Sequence, residues 1–206
     1  MLESESFTGI FEAINPSDLA QPPQHFALLT YPPLEVATFM DDIRRRYDPA
    51  FKEGIAPHIT IKRPAILPDT SLLPVVSAAL KTAMARLVPS PVDLDGYNIF
   101  RKPGRNVVFL KIRDEQPFCQ LHHTILKALG EVLPEGGADQ FEGEAYHPHL
   151  TIGNALDDLE LAVLEHELSS GQYRLNFSFE LAEIVLLHQP PRQPWQRHET
   201  FRFGLK

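Results

Sequence analysis

The sequence predicts a protein of mixed helices and strands that folds as two similar lobes. The string Pro-His-Ile-Thr-Ile at residues 57–61 recurs as Pro-His-Leu-Thr-Ile at residues 148–152. The elements around each string are predicted in the same order: a strand, a helix, the His-x-Thr strand, a helix and a strand. A chain of 206 residues with 43% hydrophobic and 22% charged residues fits one large domain or two small lobes. The repeat favours two lobes.

The first half, residues 25–90, is predicted from hydrophobic periodicity and from the positions of prolines. A helix over residues 34–47 has an apolar face at helical spacing, and its basic run Arg44–Arg46 is expected to lie mostly on the solvent side. Pro64 and Pro68 are expected to close the first His-x-Thr strand. The predicted elements, in order, are a strand at 25–31, the helix at 34–47, the His-x-Thr strand at about 57–63 and a helix from about 69 to 87.

The second half, residues 91–206, repeats this order. A basic turn with Pro103-Gly104 joins its first two strands, and a glycine-rich loop around Gly136-Gly137 precedes its His-x-Thr strand. Residues 1–24 form an acidic tail that is expected to be partly disordered, outside the single bilobal domain of residues 25–206. The other predicted elements are strands at 91–100 and 106–113, a helix at 117–132, a helix at about 157–168 and two closing strands at about 173–189 and 196–203.

Bulk properties exclude several classes of function. A formal net charge of −8 argues against binding to duplex DNA, which depends on a broad basic surface. Cys119 is the only cysteine, so no internal disulfide and no multi-cysteine zinc site is expected, in keeping with a reducing compartment. The first residues lack the pattern of a secretory signal, and no apolar stretch is long enough to span a bilayer. We therefore expect a cytoplasmic protein without membrane contact, and we expect a monomer.

The candidate site follows from the alternation of side chains along a strand. His58 and Thr60 share one face of their strand, and His149 and Thr151 share one face of theirs. If the two lobes face each other across a cleft, these four residues form one site. The same alternation places two further residues on these faces. They are Lys62, expected to hold a phosphate oxygen, and Gly153, expected to leave room for a nucleobase or sugar.

Other motifs admit two readings. Two other strings, His122-His123-Thr124 and His198-Glu199-Thr200, also match His-x-Thr. The first lies in a helical pattern, and the second lacks the flanking Pro and Ile, so both are interpreted as lying outside the site. His147 fits the rim of the same face, and no ligand set for a metal accompanies it. The basic loop of Arg101, Lys102 and Arg105 fits either a solvated turn or a clamp for a substrate phosphate.

Two imidazoles and two hydroxyls suit phosphate ester chemistry. Cleavage of a phosphodiester needs one group to remove a proton from the attacking oxygen and another to protonate the departing oxygen. An imidazole titrates near pH 6.5, so at neutral pH one ring can act as the base while the other is protonated. The threonine hydroxyls can donate to the non-bridging oxygens. This reading requires no metal and no cofactor, and it predicts a bell-shaped pH dependence of kcat/KM.

On the two His-x-Thr strands, carried by His58/Thr60 and His149/Thr151, the chain resembles the 2H phosphoesterase superfamily over about residues 25–203. This group includes the 2′-5′ RNA ligase-like proteins and the RNA 2′,3′-cyclic phosphodiesterases. The resemblance implies a bilobal α+β fold with approximate two-fold symmetry, in which two antiparallel sheets line a central cleft and helices lie outside. It also implies metal-independent opening of 2′,3′-cyclic phosphates, with 2′-5′ RNA ligation as a related reaction.

Several alternatives stay open. The substrate implied by the resemblance is an RNA end, a small cyclic nucleotide or a nucleotide-sugar cyclic phosphate. A relative of the same fold that binds a nucleotide or phosphate without turnover is a second hypothesis. A structural domain that binds a partner, with incidental histidines, is a third.

Overall fold

The computed structural model describes residues 23–133 and 141–204. Its strands are β1 (Gln24–Thr30), β2 (Ile59–Leu67), β3 (Ser90–Phe100), β4 (Asn106–Ile112), β5 (Leu150–Leu156), β6 (Asn176–Leu181), β7 (Glu183–Gln189) and β8 (Gln196–Arg202). Its helices are α1 (Leu34–Tyr47), α2 (Pro49–Lys52), α3 (Leu73–Met84), α4 (Gln116–Gly130) and α5 (Asp158–Ser169). Within the described ranges, no helix has the length and apolar character needed to cross a lipid bilayer.

The strands form two antiparallel sheets, in the orders β2-β1-β7-β8 and β5-β4-β3-β6. The predicted α+β class with two antiparallel sheets is therefore confirmed. The sheets do not follow the expected division between residues 90 and 91, because β7 and β8 of the second half complete the first sheet. The two His-x-Thr strands, β2 and β5, are equivalent edge strands of the two sheets. Each begins at the residue after its histidine, so His58 and His149 directly precede the strands.

Two of the helices follow a strand of one sheet and pack on the other sheet. Helix α1 follows β1 of the first sheet but contacts β5 of the second, while α4 follows β4 of the second sheet but contacts β2 of the first. The inward residues Ile61 and Ile152 have no exposed surface and belong to one apolar cluster that both sheets share. This exchange fixes the position of each His-x-Thr strand relative to the other.

Most predicted elements are present, with differences at their ends. Strand β2 runs through Pro64 to Leu67, because an edge strand tolerates a residue without an N–H group. The predicted helix from about residue 69 begins as a 3₁₀ turn capped by Asp69 and ends as α3 at Met84. The first of the two predicted closing strands is interrupted at Ala182, where β6 and β7 separate into different sheets.

Arg44 is the member of the arginine run that does not face solvent. Its side chain is only 3% exposed and is paired with carboxylates at positions 41 and 48, whereas Arg45 and Arg46 are exposed. Residues 1–22 of the expected tail lie outside the described residues. The predicted loop around Gly136-Gly137 also lies outside them.

Candidate functional site

A cleft of about 200 Å³ opens between the two edge strands β2 and β5. Its walls hold both histidines and both threonines of the repeated strings, His58, Thr60, His149 and Thr151. The structure thus brings together residues that lie about ninety positions apart in the chain. Five further residues complete the lining: Arg44, Asp48, Ala50, Pro57 and Asn154.

The two imidazoles are oriented in the same way. Nδ1 of His58 lies 2.9 Å from the carbonyl oxygen of Ala56, and Nδ1 of His149 lies 2.8 Å from the carbonyl oxygen of His147. Because a carbonyl oxygen only accepts, Nδ1 donates in both bonds and carries the ring proton. In each neutral ring Nε2 is therefore the nitrogen with the available lone pair.

The environment of each ring lowers its pKa. Burial is the main cause for both, and it is partly offset by the bond from Nδ1 to the backbone carbonyl. Arg44 lowers the pKa of His58 further, while Asp48 raises it. The pKa of His149 is also lowered by His147 and by His58. Protonation of one catalytic candidate therefore opposes protonation of the other, as expected for two rings that share one site.

Each His-x-Thr strand contains a bulge directly after its threonine. Consecutive residues Leu28 and Leu29 of β1 pair with Lys62 and Thr60, which are two apart on β2. In the second sheet, residues 108 and 109 of β4 pair with Gly153 and Thr151 in the same manner. Two residues facing one break the alternation of faces. The position two residues after each threonine consequently does not point where a regular strand would place it.

Lys62 does not lie on the cleft. Its side chain is 2% exposed, and Nζ lies 2.9 Å from Oε2 of Glu142, whose side chain is fully buried. The other carboxylate oxygen of Glu142 accepts a bond from the backbone N–H of Arg63 at 2.8 Å. The expectation that Lys62 holds a substrate phosphate is therefore wrong, because this ammonium is paired inside the protein.

Gly153 is also buried rather than open to a ligand. A Cβ at this position would lie 2.9 Å from Cδ2 of Leu164, 3.0 Å from Cδ1 of Leu156 and 3.5 Å from Cβ of Tyr47. These atoms belong to α5, β5 and α1, so the glycine allows two helices to approach the strand. The expectation that it leaves room for a nucleobase or sugar is wrong for the same reason.

The basic loop between β3 and β4 is exposed and lies outside the cleft lining. Arg101 forms an ion pair with Glu165 at 3.1 Å, and Nζ of Lys102 lies 5.6 Å from the ring centroid of Phe141. Arg105 is exposed at the end of the turn. These positions fit the simpler of the two readings, a solvated turn.

The remaining histidines separate into two groups. His147 stays close to the site, since its Nδ1 lies 2.7 Å from Oε2 of Glu115 and its ring contacts the Phe100 and Phe109 rings that also contact His149. His122 is buried in α4 and His198 is exposed on β8, and neither lines the cleft.

Sequence reasoning missed Arg44, Asp48 and Asn154 in the cleft wall. Asp48 follows α1 directly, four residues after Arg44, a spacing that brings side chains together at a helix, and this signal was available in the sequence. Asn154 gave no such signal, because the bulge after Thr151 changes the face on which later residues of β5 lie.

Two antiparallel sheets that each present a histidine and a threonine to one cleft define a two-histidine site. The family model described as "2'-5' RNA ligase superfamily" matches residues 32–193, which include both His-x-Thr strands. The chain belongs to this superfamily, and the resemblance to the 2H phosphoesterases is confirmed.

Similar proteins agree with this assignment. A protein of Bacillus thuringiensis named "Putative phosphoesterase" is 29% identical over 180 residues, which cover 86% of this chain and 95% of that protein. The structure of LigT of E. coli complexed with 3'-AMP is 15% identical, with a TM-score of 0.61 over 89% of this chain and all of that chain. TT0787 of Thermus thermophilus is 18% identical, with a TM-score of 0.57 over 87% and 98% of the two chains. These solved structures show that the fold is shared.

Proposed function

We propose that the protein is a phosphodiesterase that opens 2′,3′-cyclic phosphates of nucleotides or RNA ends. The observation that carries this proposal is the pair of equivalent imidazoles, His58 and His149, in the wall of one cleft that Thr60 and Thr151 also line. Membership of the superfamily and the name of the Bacillus relative support a phosphoesterase. The complex of LigT with 3'-AMP supports a nucleotide as substrate.

In the proposed reaction, one imidazole acts as general base through Nε2 and removes a proton from the attacking water. The water oxygen forms a bond to phosphorus as the bond from phosphorus to the 3′-oxygen breaks. The other imidazole, protonated, delivers its proton to the departing 3′-oxygen, so the product is a 2′-phosphate with a free 3′-hydroxyl. Thr60 and Thr151 donate hydrogen bonds to the non-bridging oxygens, where negative charge develops. Each proton transfer is thus assigned to a side chain, and the reaction needs no metal.

Incubation with 2′,3′-cyclic nucleotides in excess chelator tests the proposal. We expect the ring-opened product to be a 2′-phosphate, identified by phosphorus NMR. His58→Ala and His149→Ala should each lower kcat by about 10² to 10⁴, the usual contribution of one general acid or base. Thr60→Val and Thr151→Val should each lower kcat by about 10². His198→Ala is a matched control, since this histidine is exposed on β8 outside the cleft.

Two outcomes would contradict the proposal. Turnover retained in both histidine variants would show that the imidazoles do not transfer the protons. Tight binding of cyclic nucleotides by calorimetry, without any turnover of a panel of cyclic phosphates, would instead identify a binding protein of the same fold.

A further inference from the structure

Arg44 is a buried cation in the cleft wall that the proposed reaction does not use. It lies near the end of α1, and its guanidinium makes three charge-assisted or short hydrogen bonds. Nε donates to Oδ2 of Asp48 at 2.8 Å, and Nη1 donates to Oδ1 of Asp41 at 2.8 Å. Nη2 donates to the backbone carbonyl of Ile55 at 2.6 Å. One side chain therefore connects the end of α1 to a residue eleven positions further along the chain.

These bonds hold both ends of the segment that leads into β2. At its start, Oδ1 of Asp48 accepts from the backbone N–H of Ala50 at 3.1 Å. Near its end, Arg44 holds the carbonyl of Ile55. Residues 52–56 between these points are exposed, and two local turn bonds also hold their backbone, from the N–H of Gly54 to the carbonyl of Phe51 and from the N–H of Ile55 to the carbonyl of Ala50. The guanidinium is the interior anchor of this exposed segment.

The anchored carbonyl is next to the one that orients His58. The carbonyl of Ala56 follows that of Ile55 directly, and it accepts the bond from Nδ1 of His58. Pro57 lies between Ala56 and His58, and a residue that precedes proline, here Ala56, is restricted to extended backbone. Once Ile55 is held by Arg44, the Ala56 carbonyl has little freedom to turn away from the imidazole.

Stability alone does not account for a guanidinium buried between carboxylates. Burial of an ion pair costs desolvation, and well-packed apolar residues of similar volume often stabilise a protein as much or more. Arginine does, however, supply several donors in a fixed planar arrangement, which lysine and apolar residues cannot reproduce. We therefore infer that the planar donors of Arg44 are needed to hold the backbone at Ile55 in a defined position.

We propose that Arg44, with Asp48, is a positioning residue for His58. It fixes the Ile55–Ala56 backbone so that the Ala56 carbonyl holds the ring proton on Nδ1 and leaves Nε2 unprotonated. The consequence for turnover rests on the proposed function, whereas the consequence for the imidazole itself does not.

The test is Arg44→Lys, which keeps the positive charge between Asp41 and Asp48 but removes the planar set of donors. Proton-nitrogen NMR of the histidine rings, recorded without ligand above the pKa of the rings, reports which nitrogen carries the proton. We expect His58 to move from the Nδ1-protonated form toward a mixture of both forms, while His149 is unchanged. With a 2′,3′-cyclic nucleotide, kcat should fall about 10-fold at nearly constant KM. Arg45→Lys, the same change at the exposed neighbouring position, is the control.

Each outcome decides the proposal. An unchanged His58 ring in folded Arg44→Lys overturns it, and a raised KM with an unchanged ring would mean that Arg44 contacts the substrate instead. If Arg44→Lys does not fold, Asp48→Asn is measured instead. We expect the same shift of the His58 ring toward a mixture of both protonated forms, with His149 unchanged. An unchanged His58 ring in Asp48→Asn would overturn the proposal. If the wild-type protein turns over no cyclic phosphate yet the ring responds as expected, the positioning role holds and the proposed function fails.

Discussion

At the scale of the residue, the proline before each histidine is as important as the histidine. Pro57 and Pro148 are buried, and each separates the histidine from the carbonyl that accepts its Nδ1–H bond. The residue before a proline adopts extended backbone, which holds its carbonyl in a restricted range of directions. The repeated Pro-His string therefore encodes the tautomer of the ring as well as its position at the start of an edge strand.

Gly153→Ala should destabilise the protein without abolishing the cleft. The new Cβ would meet Leu164 at 2.9 Å and Leu156 at 3.0 Å in the interior, so we expect a loss of about 1 to 3 kcal/mol of unfolding free energy. Urea unfolding measures this loss, and kcat/KM of the folded fraction should stay within a few-fold of wild type. A large rise in KM at unchanged stability would instead indicate that Gly153 contacts the substrate.

Lys62→Met should lower the unfolding free energy by about 3 to 5 kcal/mol, because it leaves the fully buried carboxylate of Glu142 without its ammonium partner. Glu142→Gln in the same chain removes the charge of this carboxylate. The double variant should therefore be more stable than Lys62→Met alone in denaturant unfolding. The single variant Glu142→Gln completes the cycle. A double variant whose loss of unfolding free energy equals the sum of the two single losses would show that the pair is not coupled.

Lys62 and Gly153 were predicted to contact the substrate because side chains alternate along a strand. Alternation along a strand is a sound rule for His58 and Thr60, and it placed both in the cleft lining. It fails one step later because a bulge is a property of the pairing with β1, which one strand's sequence does not show. Arg44 was misplaced because its spacing to Asp48 was not used, and because the backbone carbonyl of Ile55, another of its partners, has no signature in the sequence.

At the scale of the element, side chains close the exposed edge of β2. The backbone of this edge strand is bonded by Tyr146 Oη to the carbonyl of Thr60 at 2.9 Å, and by His122 Nδ1 to the carbonyl of Ile61 at 2.6 Å. The N–H of Arg63 donates to Glu142. An unpaired edge exposes backbone groups that can pair with other chains. Here α4 and the segment before the second His-x-Thr strand cover it and connect the two halves of the site.

His122 makes this closure sensitive to acid. Nε2 accepts from the N–H of Gly143 at 2.9 Å while Nδ1 donates to Ile61, so only the neutral ring makes both bonds. Burial lowers the pKa of His122 below its ordinary value of 6.5. Below about pH 6.5, His122 therefore binds a proton more readily in the unfolded chain than in the folded protein. The contribution of His122 is fully present above this pH and is lost as the pH falls below it.

The unfolding free energy should accordingly decrease as the pH falls from 7 to 5. Replacement of His122 by Asn should reduce the slope of this decrease by up to about 1.4 kcal/mol per pH unit, which corresponds to one proton. Denaturant unfolding at several pH values measures the slope, and His123→Asn, at an exposed position of the same helix, is the control. Equal slopes in wild type and His122→Asn would contradict this role.

Helices were predicted more closely than strands. Periodicity gave the bounds of α1 as residues 34–47, and α4 begins within one residue of the prediction. The closing strands were predicted as two because a continuous β pattern does not reveal a change of sheet. Only the pairing of β6 with β3 and of β7 with β1 shows that the chain changes sheets at Ala182.

At the scale of the whole molecule, the cleft exists because each sheet is covered by a helix that belongs to the other half. The contacts of α1 with β5 and of α4 with β2 hold the two edge strands side by side, so His58 and His149 line one cleft. The sequence predicted which residues meet, through the repeated string, but not how the halves interlock. That arrangement depends on contacts between residues far apart in the chain, which no local pattern contains.

The pairing of two buried imidazoles in one cleft determines the pH dependence of the proposed reaction. Burial lowers the pKa of both His58 and His149 from 6.5, and each proton bound at one ring disfavours a proton at the other. The reactive free protein needs one neutral and one protonated ring, so kcat/KM should be bell-shaped. Its maximum lies between the two apparent pKa values of the pair, and therefore below about pH 6.5.

A bound phosphate anion favours the protonated ring, so kcat should have its maximum at a higher pH than kcat/KM. Initial rates with a 2′,3′-cyclic nucleotide from pH 4.5 to 8.5, at saturating and at low substrate, give both profiles. His198→Ala should leave both profiles unchanged, because this exposed histidine is not part of the cleft. A rate that rises with pH to a plateau, with no fall on the alkaline side, would show that no protonated imidazole is required. The assignment of the two rings as an acid and base pair would then be wrong, even if the protein cleaves the substrate.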